Sequence, residues 1–382
     1  MQVRIYPATN HNVLSRNNAG NMDTQIILTD REVPATPLFH GFLDGILNQR
    51  ALSFSWHDQV SEAAKKQGAE ANFRSESEIA ATLQDPRAQR AMKRCNELFA
   101  AILTGATDKL EIFNKQYRFI VVVGAPRSGG SYLTKILFQA IGMAADKVPR
   151  TVAHDGFPDL SPFFMAQNFN AYTGMQRRMA EYLVMVELFF ADSQTNKSPK
   201  IIPKKASKAP YHGAFFNHML GGATEYLITI RHPISSCIST YERAGGFPPN
   251  GRFLPRGHIE IWAARDYLFT AGGSEMSVFS QDYFDIYLRF WEHYHYNLAL
   301  TGLSANKNWS IIPYTRDAME SAAQSCYDKL GCREQPDAFK VFDKRSQHTD
   351  WQKKSEQAIR RVSAVWDSVG LRFPVDAVME QW

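Results

Sequence analysis

The apolar positions of this chain change their period partway along. Between Leu38 and Lys115 they recur at three- and four-residue spacing, most clearly at Ala91-Met92, Cys95, Leu98-Phe99 and Ile102-Leu103, which predicts amphipathic helices. Ser75-Glu76-Ser77-Glu78 reads as a helix entry. Upstream, a stretch punctuated by Pro34 and Pro37 carries one expected strand over Gln25 to Leu28. From Arg118 the pattern is different. Phe119 to Val123 is short, β-branched and uninterrupted, as a strand buried on both faces must be. Glu225 to Ile230 and Trp309 to Pro313 repeat that signature, and Ile201-Ile202 suggests a shorter strand. Helical stretches separate these runs, and such alternation predicts a parallel sheet with crossover helices. Tyr287, Phe290-Trp291, Tyr294 and Leu298 share one helical face, as do Ile359, Val362, Trp366 and Val369 ahead of a stop at Gly370. Both faces are read as core, the aromatic one in preference to a sugar-stacking surface. The chain thus divides into a mainly helical N-terminal extension over residues 1–115 and an α/β domain over residues 116–382.

Composition narrows the function classes. The 382 residues are 44% hydrophobic, enough to bury a full core. A net charge of +5 with dispersed Lys and Arg suits an anionic small-molecule ligand and argues against a nucleic-acid surface. Cys95, Cys237, Cys326 and Cys332 form no CxxC pair and no ligand set with histidine, so neither a disulfide framework nor a zinc site is expected. No run of eighteen apolar residues occurs and the first residues lack an apolar leader core, which predicts a protein with no transmembrane segment, located in the cytoplasm.

The chemistry concentrates at two places. Gly124-Ala-Pro-Arg-Ser-Gly-Gly-Ser131 follows the first strand of the α/β domain and opens a helix. Its glycines let the backbone approach an anion, and the helix start presents unpaired N–H groups. The nucleotide version of such a loop, GxxxxGK[ST], places a lysine before the hydroxyl residue. Here that position is Gly130, and the cation inside the loop is Arg127. The second place is Arg231-His-Pro-Ile-Ser-Ser-Cys-Ile-Ser239, after the strand Glu225 to Ile230. Arg231 stands at a strand's carboxyl end, where open α/β sheets bind ligands. Ser239 lies two turns into the helix that Pro233 opens.

Together, Pro126-Arg127-Ser128-Gly129-Gly130-Ser131 and the Arg231/Ser239 pair resemble the two donor-binding elements of the P-loop sulfotransferases. The first resembles that family's PRSGTT or PKSGTT loop, and the second its arginine and serine eight residues apart. The resemblance spans about Arg118 to Gly370. It implies a three-layer P-loop fold with a central parallel sheet. It also implies 3′-phosphoadenosine 5′-phosphosulfate (PAPS) as co-substrate, with no metal. Arg127, Ser128, Gly129, Gly130, Ser131 and Tyr132 would hold the 5′-phosphosulfate, and Arg231 and Ser239 the 3′-phosphate. Ile312-Pro-Tyr314-Thr-Arg-Asp317 is similar to the family's YED strand end, which puts Tyr314 near the adenine. Lys344-Arg345-Ser-Gln-His-Thr-Asp350-Trp351 aligns with an RKGxxGDW loop, keeping Lys344 and Arg345 and losing both glycines.

The base that would accept the acceptor proton has more than one candidate. The family's Lys-x-His segment reads Lys205-Ala206-Ser207 here, with the lysine and without the histidine. His154-Asp155 lies where other branches carry a carboxylate, and either side chain could serve, or the pair could be a surface turn before Gly156. His212, expected on the next helix, is a poorer candidate. Lys197, Lys200, Lys204 and Lys208 are read as a solvated charge run. The Gly/Pro/Arg-rich stretch between Ala244 and Asp282 is placed as a lid or acceptor wall. The expected activity is sulfuryl transfer to a hydroxyl on a carbohydrate, lipid or small metabolite. The alternatives are a P-loop kinase using MgATP and a catalytically degenerate binding protein of the same fold.

Overall fold

Alternate residues of a strand point to opposite faces, so a strand apolar at every position must be covered twice. In the computed structural model Phe119, Val121 and Val123 belong to one buried cluster, while Ile120 and Val122 belong to another. The structure describes residues 2–5, 26–29, 35–49, 52, 76–154, 169–194, 198–272, 274–345 and 348–381. Asp155, and with it half of the His154-Asp155 expectation, lies outside them, as does Lys197.

In chain order the elements are β1 (Gln2–Ile5), β2 (Ile26–Thr29), α1 (Pro37–Leu47), α2 (Glu76–Gln84), α3 (Pro86–Thr104), α4 (Thr107–Gln116), β3 (Tyr117–Gly124), α5 (Gly130–Ala140), α6 (Arg150–Ala153) and α7 (Phe169–Phe189). There follow β4 (Lys200–Lys205), α8 (Gly213–Leu220), β5 (Glu225–Ile230), α9 (Pro233–Arg243), α10 (His258–Ala271), α11 (Glu275–Phe279), α12 (Tyr283–Leu300), β6 (Trp309–Pro313), α13 (Arg316–Leu330), α14 (Thr349–Ser368) and α15 (Val375–Met379). Strands β4-β3-β5-β6 form a parallel sheet, as the alternating pattern predicts, and β1 pairs with β2 in a separate antiparallel pair. Residues from α5 and α13, including Leu133, Ile136, Leu137, Met319 and Ala323, cover one face of the parallel sheet. Residues from α7, α9, α12 and α14 lie in the core on the other face.

The connections place the ligand crevice. From β3 the chain passes to β4 on one side, whereas from β5 it passes to β6 on the other. The helices leaving β3 and β5 cover opposite faces. The gap between the carboxyl ends of β3 and β5 is therefore a topological switch point, where doubly wound sheets leave room for a ligand. Gly124 and Ile230 end those two strands.

The described residues between 35 and 116 pack into the same core as the α/β part. Cys95, Leu98 and Ile102 of α3 join Met179, Leu183 and Val186 of α7. Polar ties reinforce the seam: Thr36 donates from N and Oγ1 to the Glu181 carboxylate, both at 2.7 Å, and Arg94 pairs with Glu187 at 2.8 Å. The aromatic face of α12 is core, with Tyr287, Phe290, Trp291, Tyr294 and Leu298 all buried. On α14 Ile359, Val362 and Trp366 are buried as expected, but Val369 is exposed. The helix ends at Ser368 and Gly370 takes φ 75°, so the chain turns away before Val369 can complete the stripe.

Candidate functional site

The loop from Gly124 to Gly129 is shaped by two residues in the left-handed region, Arg127 at φ 72° and Gly129 at φ 92°. Glycine bears that conformation freely; an arginine does so at about 1–3 kcal/mol, which the surroundings must impose. Ser128 supplies part of the restraint. It is buried, donates from Oγ to the Ala125 carbonyl at 2.6 Å and meets Thr229 Oγ1 at 2.8 Å. Ser128 thus builds the turn from inside, facing β5. At Gly129 the helix α5 starts with no side chain capping it. Its first amides, from Gly130 and Ser131, have no acceptor within the helix.

Arg127 and Arg231 are joined. Arg231 Nη1 donates to the Arg127 carbonyl at 2.9 Å, which holds the strained residue, and Arg127 Nε donates to Ser239 Oγ at 3.0 Å. The three residues singled out by their spacing in the sequence are thereby one hydrogen-bonded unit. Arg231 is 3% exposed, its Nη2 donates to the Phe342 carbonyl, and its guanidinium carbon stands 4.1 Å from the centre of the Tyr314 ring. Its Nε is buried with no acceptor among the described residues. Neither arginine pairs with a carboxylate among the described residues. Burial pushes both guanidinium pKa values down. For Arg127 the like charge of Arg243 adds to this, and Arg127 in turn lowers Arg231. A buried and a half-buried cation stand together at the mouth of the switch point, and the buried one keeps an idle donor, an arrangement suited to an anion.

Tyr314 lies beneath Arg231 and beside Gly129, where an added Cβ would come 3.2 Å from its ring. The Trp291 side chain supports the floor: its indole Nε1 donates to the Arg231 carbonyl at 3.0 Å. The segment after α13 reaches the site through its backbone. Phe342 N donates to Tyr314 Oη at 3.4 Å, and Ser235 Oγ donates to the Lys344 carbonyl at 2.7 Å. The Lys344 ammonium pairs with Glu242 at 2.8 Å, and Arg345 is turned to its neighbour Asp343 at 3.3 Å. Of the expected pair, Lys344 is thus beside α9 and Arg345 is not drawn to Arg231. Tyr132 also points outward, donating from Oη to the Asp337 carbonyl at 2.6 Å.

No family model, curated protein or solved structure matches the chain.

Two further groups stand at the loop. Gly130 is packed by the side chain of Lys205: a Cβ at Gly130 would lie 3.2 Å from Lys205 Cε. The lysine absent at the sixth position after Gly124 is therefore replaced in space by one from the adjoining strand. On the outer side, His154 Nε2 and Ser131 Oγ lie 3.2 Å apart. His212 is different from expectation: it closes the 3₁₀ turn Ala209–His212 ahead of α8, where burial lowers its pKa to about 4.

One sequence expectation is overturned outright. Lys204 is no part of a solvated run. It is 3% exposed, donates from Nζ to the carbonyls of His154 at 2.9 Å and Thr151 at 3.3 Å, and stands 4.4 Å from the Tyr182 ring centre. Lys200, likewise, donates to the Phe190 carbonyl at 2.6 Å. The cause is strand alternation at the end of β4, which turns Lys204 inward. Phe342, Thr229 and Trp291 are further site residues that sequence spacing did not signal, since two of them act through backbone atoms or a contact across strands. Among the described residues, no group of three or more His, Cys, Asp or Glu side chains could hold a metal ion, and no helix is long and apolar enough to cross a membrane.

Proposed function

We propose that the protein is a PAPS-dependent sulfotransferase, moving a sulfuryl group to an acceptor hydroxyl. The observation that carries this reading is the linkage of Arg127, Arg231 and Ser239, which sets two anion-seeking positions side by side at the end of the sheet. ATP has one phosphate chain; a donor with a separate 3′-phosphate uses both positions. The uncapped start of α5 and Arg127 would hold the 5′-phosphosulfate, and Arg231 Nε, with Ser239, the 3′-phosphate. The residues present fit such a donor, because each unsatisfied group is a hydrogen-bond donor or a cation.

The bound donor supplies a sulfuryl group on a phosphate leaving group. Arg127 balances the negative charge that gathers on the 5′-phosphate oxygen as the sulfur–oxygen bond breaks. Lys205, beside Gly130, adds a second positive charge at the start of the helix. His154 Nε2 takes the proton of the acceptor hydroxyl as its oxygen bonds to sulfur, with Ser131 Oγ orienting the imidazole. Most of the acceleration asked of the protein is positioning and charge stabilisation, as in phosphoryl transfer.

Calorimetry with adenosine 3′,5′-bisphosphate and with ATP, each with and without Mg²⁺, tests the donor. Tight binding of the bisphosphate without metal is expected, and a preference for MgATP would refute the reading. Transfer of labelled sulfate from PAPS to a panel of glycan, lipid and phenolic hydroxyls then separates an active enzyme from a binding protein.

A further inference from the structure

The two lysines that end β4 go to opposite faces of the sheet. In the register Lys204 pairs with Val121 and Lys205 with Val122, and those valines belong to different cores. Lys205 consequently runs along Gly130 on the α5 face. Lys204 enters the other core, where an ammonium is expensive to bury unless every proton finds an acceptor. The acceptors it finds lie at the end of α6: the Thr151 carbonyl at 3.3 Å and the His154 carbonyl at 2.9 Å. These are carbonyls that a helix leaves without partners in its last turn. The Tyr182 ring, 4.4 Å away, covers the charge from one side.

The consequence falls on His154. Its N–H is held by the Arg150 carbonyl at 2.8 Å and its own carbonyl by Lys204, so the backbone is pinned on both sides of the Cα atom. The ring then reaches Ser131, 3.2 Å from Nε2, at the mouth of the loop. A methionine would fill the same volume with no desolvation cost, so packing alone does not call for a lysine here.

We infer that Lys204 is a positioning residue, which fixes the backbone of His154 and so sets its imidazole against Ser131 at the donor site. The inference rests on the proposed role of His154 and adds a residue that acts through it without touching either substrate.

The test uses the full chain with ¹³C-labelled histidine, the His154 signal being identified by its loss in H154A. In the wild type, adenosine 3′,5′-bisphosphate shifts the His154 imidazole signal. In K204M that response falls by half or more, while affinity for the bisphosphate stays within about twofold. In the transfer assay, K204M lowers kcat by about 10–100-fold with little change in the KM for PAPS, on the scale of a misplaced catalytic group. Adding K204M to H154A lowers kcat no further. Losses that multiply, or a His154 response unchanged by K204M, would overturn the inference. K204L, which has no N–H donor and a shorter apolar side chain, covers the case in which K204M does not fold; an unchanged kcat and an unchanged His154 signal in K204L overturn it equally. If the wild type transfers no sulfate, the function proposed above fails, and the bisphosphate response of the imidazole in K204M still decides the role of Lys204.

Discussion

Placing at position 130 the hydroxyl residue found in the sulfotransferase loops that this one resembles is expected to damage this protein. A Cβ on Gly130 would lie 3.2 Å from Lys205 Cε, 3.7 Å from its Cδ and 3.5 Å from Val122 Cγ1. Carbon atoms rest at about 3.5–4.0 Å, so G130A asks Lys205 to give by a few tenths of an ångström. G130T hangs two more atoms on that Cβ and forces the ammonium away by about 1 Å or more. A misplacement of that size costs about 10²-fold in rate, and the alanine variant about three- to tenfold. Stability should move the other way. Gly130 opens α5 at an ordinary negative φ, and alanine there gains up to about 1 kcal/mol over glycine. The assay is paired: kcat for sulfate transfer from PAPS, and Tm by calorimetry, for G130A and G130T in the wild type and in K205A. Turnover falls while Tm holds or rises, and G130T costs less than about threefold once Lys205 has been removed. A G130T protein with wild-type or better turnover refutes the reasoning. So does an equal loss in the K205A background, which would show that the glycine serves the loop backbone and not the lysine.

Other consequences can be checked singly. R127A should lose about 10²–10³ in kcat, the scale of removing one transition-state donor, and a loss below about threefold would remove Arg127 from the mechanism. R231M should weaken adenosine 3′,5′-bisphosphate by at least about 30-fold, which is about 2 kcal/mol for a buried charge-assisted contact, while affinity for adenosine 5′-phosphosulfate stays within about threefold; equal losses for both ligands would refute a 3′-phosphate role. His232 and His295 are buried, and burial lowers their pKa values to about 3 and about 4 from the ordinary 6.5. Their folded-state values lie below the unfolded one, so the stability they contribute is fully present above about pH 6.5 and is lost as pH falls toward 4. Each should tilt the unfolding free energy by about 1.4 kcal/mol per pH unit in that window, and H295Q should flatten the slope by that amount in denaturant titrations.

Much of the candidate site was legible because its signals are local. A β-branched run followed by a glycine-rich turn specifies a strand and a loop by itself, and β5 and β6 occur over the very residues that the pattern marked. The eight-residue interval from Arg231 to Ser239 is a statement about helix geometry, and the helix Pro233–Arg243 honours it. What escaped depends on neighbours far away in the chain. Lys204 and Lys205 are adjacent and identical in type, and which one is buried follows from the pairing of β4 with β3, which neither lysine announces. Phe342 contributes a carbonyl, an atom every residue has, so no residue type could flag it. Val369 continues the apolar period of its stripe, yet the helix stops one residue short of it and leaves it exposed.

The sequence by itself determined the α/β alternation, the loop with its displaced cation, and the paired arginine and serine, because each is written in periodicity, in φ-permissive residues or in helical spacing. Tertiary structure alone decided that Arg127 and Arg231 share one hydrogen-bonded unit, that Lys205 fills the space Gly130 leaves, and that Lys204 holds His154. Those outcomes come from strand order and register, which bring together residues 50 to 104 positions apart and turn successive side chains to opposite faces.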